Sequence, residues 1–144
     1  CDVILAADTA KFGSPFASIG AVLDSGAHRA FVERLGPAVA MDLIYSGRFL
    51  SGVEAAAAGL VSRALPADGL DQAARAYAAA LAAGPTLAFR ESKRLVRELS
   101  ERPFTLAETL DREAQAQSRA SRTKDYAEGF TAFLERRPPR FRGE

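Results

Sequence analysis

The sequence has one cysteine, one histidine, one methionine and no tryptophan. A lone thiol, Cys1, excludes an internal disulfide and makes a reducing, cytoplasmic compartment the expectation. A single Cys and a single His, His28, exclude a zinc site built from four cysteines or from a Cys/His set, and no metal site is expected. No apolar run comes near the ~20 residues that cross a bilayer, and no secretory signal pattern is found, so no membrane partner is expected. Charge of one sign is also scarce. The 19 Lys and Arg against 18 Asp and Glu leave +1, so bulk electrostatics do not argue for nucleic acid or an anionic surface.

What is there suits a packed globular chain. It has 144 residues, 48% hydrophobic and 26% charged, enough for one domain or two small subdomains. That balance rules out a disordered or collagen-like chain. Thirty alanines favour helix by propensity alone. The charge is uneven. Residues 1–72 hold five basic and eight acidic side chains, and residues 73–144 hold fourteen and ten. This is either solvated helix faces or an anion contact near the tail, where Arg136, Arg137, Arg140 and Arg142 crowd together.

Along the chain, Cys1–Ala7 reads as a short buried strand. A strand at the very first residue, with no initiating Met, suggests a fragment or a processed chain. Residues 11–15 read as a second extended piece ending in a turn. Ile19–Leu23 is another brief apolar stretch. Asp24-Ser25-Gly26 looks like a helix start, with Phe31, Val32 and Leu35 on one face and Gly36 as the stop. Pro37 then opens a short helix that Gly47 closes. Ser51-Gly52-Val53-Glu54 has the capping-box spacing and opens a small Ala-rich helix ended by Gly59. Residues 60–65 are a possible strand stopped by Pro66. Four helical patterns follow, marked by Leu70 to Leu81, Leu87 to Leu99, Leu106 with Leu110, and Tyr126 to Leu134. Pro138-Pro139 terminates the last. There is no internal repeat.

Four stretches, in this order, resemble the crotonase superfamily (enoyl-CoA hydratase/isomerase), C-terminal half only. They are Cys1 to Asp8, the Lys11-Phe12-Gly13-Ser14-Pro15 turn, Ser46-Gly47-Arg48 through Gly59-Leu60-Val61, and Asp125 to Gly143 with Glu128-Gly129 and Ala132-Phe133. The resemblance implies an α/β fold. Residues 1–65 would be the last part of a ββα spiral, and residues 66–144 a helical oligomerisation (trimerisation) region, so that this chain is mostly α. It also implies acyl-CoA as substrate or ligand, a trimer or dimer of trimers, a role in fatty acid metabolism, and no tightly bound cofactor. Family members stabilise a thioester enolate with two backbone N–H groups. Both lie upstream of the position matching Cys1, so the isolated 144-residue chain is not expected to be active.

The family resemblance also assigns roles to single residues. A hydratase carries a glutamate directly after the turn ending in Pro15, and here that position is Phe16, which cannot transfer a proton. Pro15 and Phe16 are therefore expected in the wall of the substrate pocket. Some branches place a catalytic aspartate at the position of Asp24; a helix N-cap or an inert pocket residue is the alternative. His28, one helical turn on, is either a relay partner of Asp24 or a surface residue. Arg136 matches a basic position that reaches a CoA phosphate, and Phe133 an aromatic near the adenine; a solvated arginine and a helix-core phenylalanine are the alternatives. The expectation is an acyl-CoA enzyme, isomerase-like more than a classical hydratase, with a non-catalytic acyl-CoA-binding protein as the alternative.

Overall fold

A computed structural model describes residues 1–144 and divides them into two units, Cys1–Arg75 and Ala76–Glu144. In the first, the opening apolar run narrows to β1 (Leu5–Ala7), and Lys11–Gly13 forms β2. A 3-10 turn covers Pro15–Ile19, and the long helix α1 spans Ala27–Ser46. Then come β3 (Phe49–Ser51), α2 (Gly52–Ala57) and β4 (Arg63–Leu65). β1 pairs in parallel with β4, Ala6 opposite Ala64, and β2 pairs antiparallel with β3, Phe12 opposite Leu50. The core between these pieces is built from Ala6, Leu23, Phe31, Ala40, Leu43, Leu50, Ala55, Leu60 and Val61.

Local chemistry accounts for most of these boundaries. Gly36 breaks α1 with φ 73° and ψ 163°, a conformation open to glycine and closed to most side chains. Pro37 follows as the first residue of the second segment, where its missing N–H costs nothing. α2 begins with the expected capping box: Ser51 Oγ accepts from the Glu54 N–H at 3.2 Å, and Glu54 accepts from the Ser51 N–H at 2.7 Å. Ile19–Leu23 departs from a regular element. Only Leu23 is buried; Ile19, the last residue of the 3-10 turn, and Val22, in the loop after it, face outward.

The second unit is helical. It takes the latter part of α3 (Leu70–Ala82), then α4 (Thr86–Glu101), α5 (Leu106–Ala120) and α6 (Lys124–Leu134). α4 and α5 are tied by ion pairs. Glu91 accepts from Arg119 at 2.9 Å and from Arg94 at 3.1 Å, and Arg94 also reaches Glu98 at 2.7 Å. Between these helices, Phe104 is stacked by the guanidinium groups of Arg102 and Arg112, at 3.7 and 4.4 Å from its ring centre. No helix is long and apolar enough to cross a membrane.

Candidate functional site

The residues singled out from the sequence fall on two stretches, one in each unit. The first is the loop from β2 to α1. Pro15 opens the 3-10 turn, and Gly20 closes it with φ 68°. Phe16 is half-buried and packs against the core cluster, and its ring carries no ionisable atom. Pro15, beside it, is exposed. The preceding Ser14 is only 1% exposed, and its Oγ meets no hydrogen-bond partner.

Asp24 lies at the end of this loop. The Ala27 N–H donates to the Asp24 carbonyl at 3.0 Å. The two residues between, Ser25 (φ 56°) and Gly26 (φ 78°), are both left-handed, the pattern of a type I′ turn. The N-cap of α1 is therefore Gly26, and no side chain accepts the first amides of the helix. The helix-cap alternative for Asp24 finds no support. Its carboxylate is exposed and accepts one bond, from Ser25 Oγ at 3.0 Å. His28 is exposed on the first turn of α1 and makes no hydrogen bond with Asp24.

The second stretch is α6 with the tail that follows it. Asp125 is 4% exposed, and its two carboxylate oxygens accept from the backbone N–H groups of Arg142, at 2.7 Å, and Gly143, at 2.8 Å. The Asp125 N–H in turn donates to the Glu144 carbonyl at 3.0 Å. One helical turn on, Glu128 receives a two-pronged bond from Arg137 at 2.6 and 2.9 Å, and a third from the Arg140 N–H at 2.8 Å. The Arg137 guanidinium and then the Arg140 amide pull the Glu128 carboxyl down to about 2, and Glu128 holds Arg137 above its ordinary value. The tail is thus folded back along α6 by two carboxylates.

That geometry separates the crowded arginines. Arg137 is committed to Glu128 and Glu135. Arg136 is exposed, its guanidinium makes no ion pair, and its backbone is left-handed at φ 53°. It occupies the position after the helix end where glycine is usual. The Arg136 N–H donates to the Phe133 carbonyl at 3.2 Å and the Arg137 N–H to the Ala132 carbonyl at 3.0 Å, the bonds of a Schellman motif. Phe133 is 80% exposed, which removes the helix-core alternative within this chain. With Tyr126, Phe130 and Phe141 it lines an apolar cavity of about 330 Å³. No three His, Cys, Asp or Glu side chains converge as metal ligands.

Two functional-looking residues escaped the sequence reading. Ser25 could have been found from the Ser-Gly pair that marks a turn, and Asp125 only from the fold, because its partners lie 17 and 18 residues away.

Over residues 1–144 the sequence matches the family described as "Enoyl-CoA hydratase/isomerase". The chain belongs to the enoyl-CoA hydratase/isomerase family. It is similar to a Mycobacterium tuberculosis protein named "Probable enoyl-CoA hydratase echA8", with 41% identity over 141 residues, 98% of this chain and 54% of that protein. It is also similar to the 2,3-dehydroadipyl-CoA hydratase of Escherichia coli, with 32% identity over 143 residues, 99% of this chain and 55% of that protein. Among solved structures, an enoyl-CoA hydratase from Bacillus anthracis superposes with a TM-score of 0.89 at 31% identity, over all of this chain and 55% of that one. The enoyl-CoA hydratase EchA1 from Mycobacterium marinum gives 0.85 at 32% identity, over 99% and 56%. This hydratase/isomerase-family chain therefore spans about half the length of the curated relatives it matches. Its fold is the mostly helical C-terminal part of the crotonase fold.

Proposed function

We propose that the protein carrying this chain acts on acyl-CoA thioesters through an enolate, moving a double bond rather than adding water. The observation that carries this reading is Phe16. It follows the turn where a hydratase has a glutamate, and its ring packs on the core. Without a second carboxylate there, water activation and proton delivery cannot be shared between two groups. Asp24 remains as an exposed carboxylate that no helix amide claims.

One carboxylate is enough for isomerisation. Asp24 takes a proton from C2 of a 3-enoyl thioester, and the electron pair passes to the thioester oxygen as a dienolate. Return of the proton to C4 leaves the 2-enoyl isomer and restores Asp24, so atoms and charge balance. Backbone N–H groups supplied outside this chain would stabilise the enolate oxygen, and the isolated chain would be inactive. Pro15 and Phe16 would line the acyl pocket. Phe133 and the unpaired Arg136 would meet the nucleotide end of CoA, a guanidinium being well suited to phosphate. His28 would be a secondary relay. Residues 66–144 would carry the trimer or hexamer contacts, and the lone Cys1 supports a cytoplasmic setting.

The test is a pair of assays on the protein that carries this chain, hydration of a 2-enoyl-CoA and interconversion of 2- and 3-enoyl-CoA. Isomerisation should exceed hydration, and Asp24→Asn should lower it by about 100-fold or more. Full turnover in Asp24→Asn would remove Asp24 from the mechanism. Binding of acyl-CoA without turnover in either assay would make the protein a non-catalytic binder.

A further inference from the structure

We propose that Ser25 is a positioning residue that holds one oxygen of the Asp24 carboxylate and leaves the other turned to substrate; this rests on the reading of Asp24 as the proton-transferring group. Three observations carry it. First, the only hydrogen bond to the Asp24 carboxylate is the Ser25 hydroxyl, donating to Oδ1 at 3.0 Å. An exposed carboxylate on a loop otherwise samples several rotamers, and proton transfer from carbon needs one of them.

Second, Ser25 has φ 56°, inside the left-handed region, and Gly26 after it has φ 78°. In a turn with two left-handed central residues, Asn or Gly takes the first place at lower steric cost. A serine held there points to a use for its side chain, and strained backbone collects at functional sites for this reason. Third, the hydroxyl has no part in starting the helix. The turn is closed by the Ala27 N–H on the Asp24 carbonyl, and α1 has no side-chain cap. The Ser25–Asp24 bond therefore orients the carboxylate and does nothing visible for the fold.

The experiment compares Ser25→Gly, Ser25→Asn and Asp24→Asn in the protein that carries this chain, with a 3-enoyl-CoA as substrate. Ser25→Gly removes the donor and relaxes the backbone, so its unfolding midpoint should equal or exceed that of the parent. Its kcat should fall by about 10- to 100-fold with KM within about twofold, the pattern of a lost transition-state alignment. Asn tolerates the left-handed backbone and offers a side-chain N–H, so Ser25→Asn should recover a measurable part of kcat. Full kcat in Ser25→Gly, with Asp24→Asn impaired, overturns the proposal and leaves the Asp24 reading intact. Equal losses in Ser25→Gly and Ser25→Asn also overturn it, since the donor would then be irrelevant. Full kcat in Asp24→Asn fells the Asp24 reading and this one together.

Discussion

Replacing Asp125 by Ala should release the tail from α6. The carboxylate is 4% exposed and accepts two backbone amides, at 2.7 and 2.8 Å. Bonds to a charged acceptor contribute about 1.5–3 kcal/mol each. The donors here sit on an exposed Arg142 and a half-buried Gly143, so water can reach both once the tail lifts. That moves the estimate to the low end of the range, about 3 kcal/mol for the pair. Ion-pair arithmetic does not enter, because the donors are neutral amides. Asp125→Asn keeps one acceptor oxygen and turns an N–H₂ toward the second amide, so it should lose at least half as much. Arg142→Ala keeps the backbone N–H and should cost under about 0.5 kcal/mol. Urea unfolding followed by circular dichroism reads the energies. Amide hydrogen exchange at residues 142 and 143 reads the local release, which should precede global unfolding. If Asp125→Ala unfolds with the parent's midpoint and leaves exchange at those two amides unchanged, the tail is held by something else and the reasoning fails.

Three further outcomes follow from the same geometry. Glu128 is held at about 2 when folded, below its ordinary value, so its bonds to Arg137 and Arg140 stabilise the folded state at neutral pH. That contribution should be constant above the ordinary carboxylate value and disappear as pH falls through it toward 2; the gap in urea midpoint between the parent and Glu128→Gln, followed down the pH scale, checks this. At Gly52, a Cβ would be driven into the Ala7 carbonyl and would sit 3.0 Å from the Asp8 Cα. Gly52→Ala should therefore destabilise by about 3 kcal/mol or more by calorimetry, against the mild gain expected of alanine in an ordinary helix. Ser51→Ala removes half of the capping box and should cost about 1 kcal/mol in the same measurement, with Ser51→Asp close to neutral.

The chain's punctuation was legible because each mark acts over a few residues. Ser51 and Glu54 are three apart, Gly36 and Pro37 adjacent, and Gly47 needs only its own φ of 63° to end α1. Propensity and caps act at that range, and the structure reproduces them. Composition left open which apolar residues are buried and which residue caps a helix. Ile19–Leu23 is apolar in composition, but only Leu23 finds a place in the core. Asp24 has the residue type and place of a helix cap, but two left-handed residues after it hand that position to Gly26.

By itself, then, the sequence determined the succession of helices, the family and a phenylalanine, Phe16, directly after the turn that ends in Pro15. These depend on residue identity and short spacing, which a linear string records in full. Tertiary structure alone decided that Asp24 is held by Ser25 rather than by a helix, that Arg137 is spent on Glu128 while Arg136 is open, and that Asp125 is buried. The last two depend on where backbone amides and guanidinium groups end up in space, and the first on the left-handed backbone at Ser25 and Gly26. For Glu128 and Asp125 the partners lie 9 to 18 residues along the chain, beyond the reach of any periodicity.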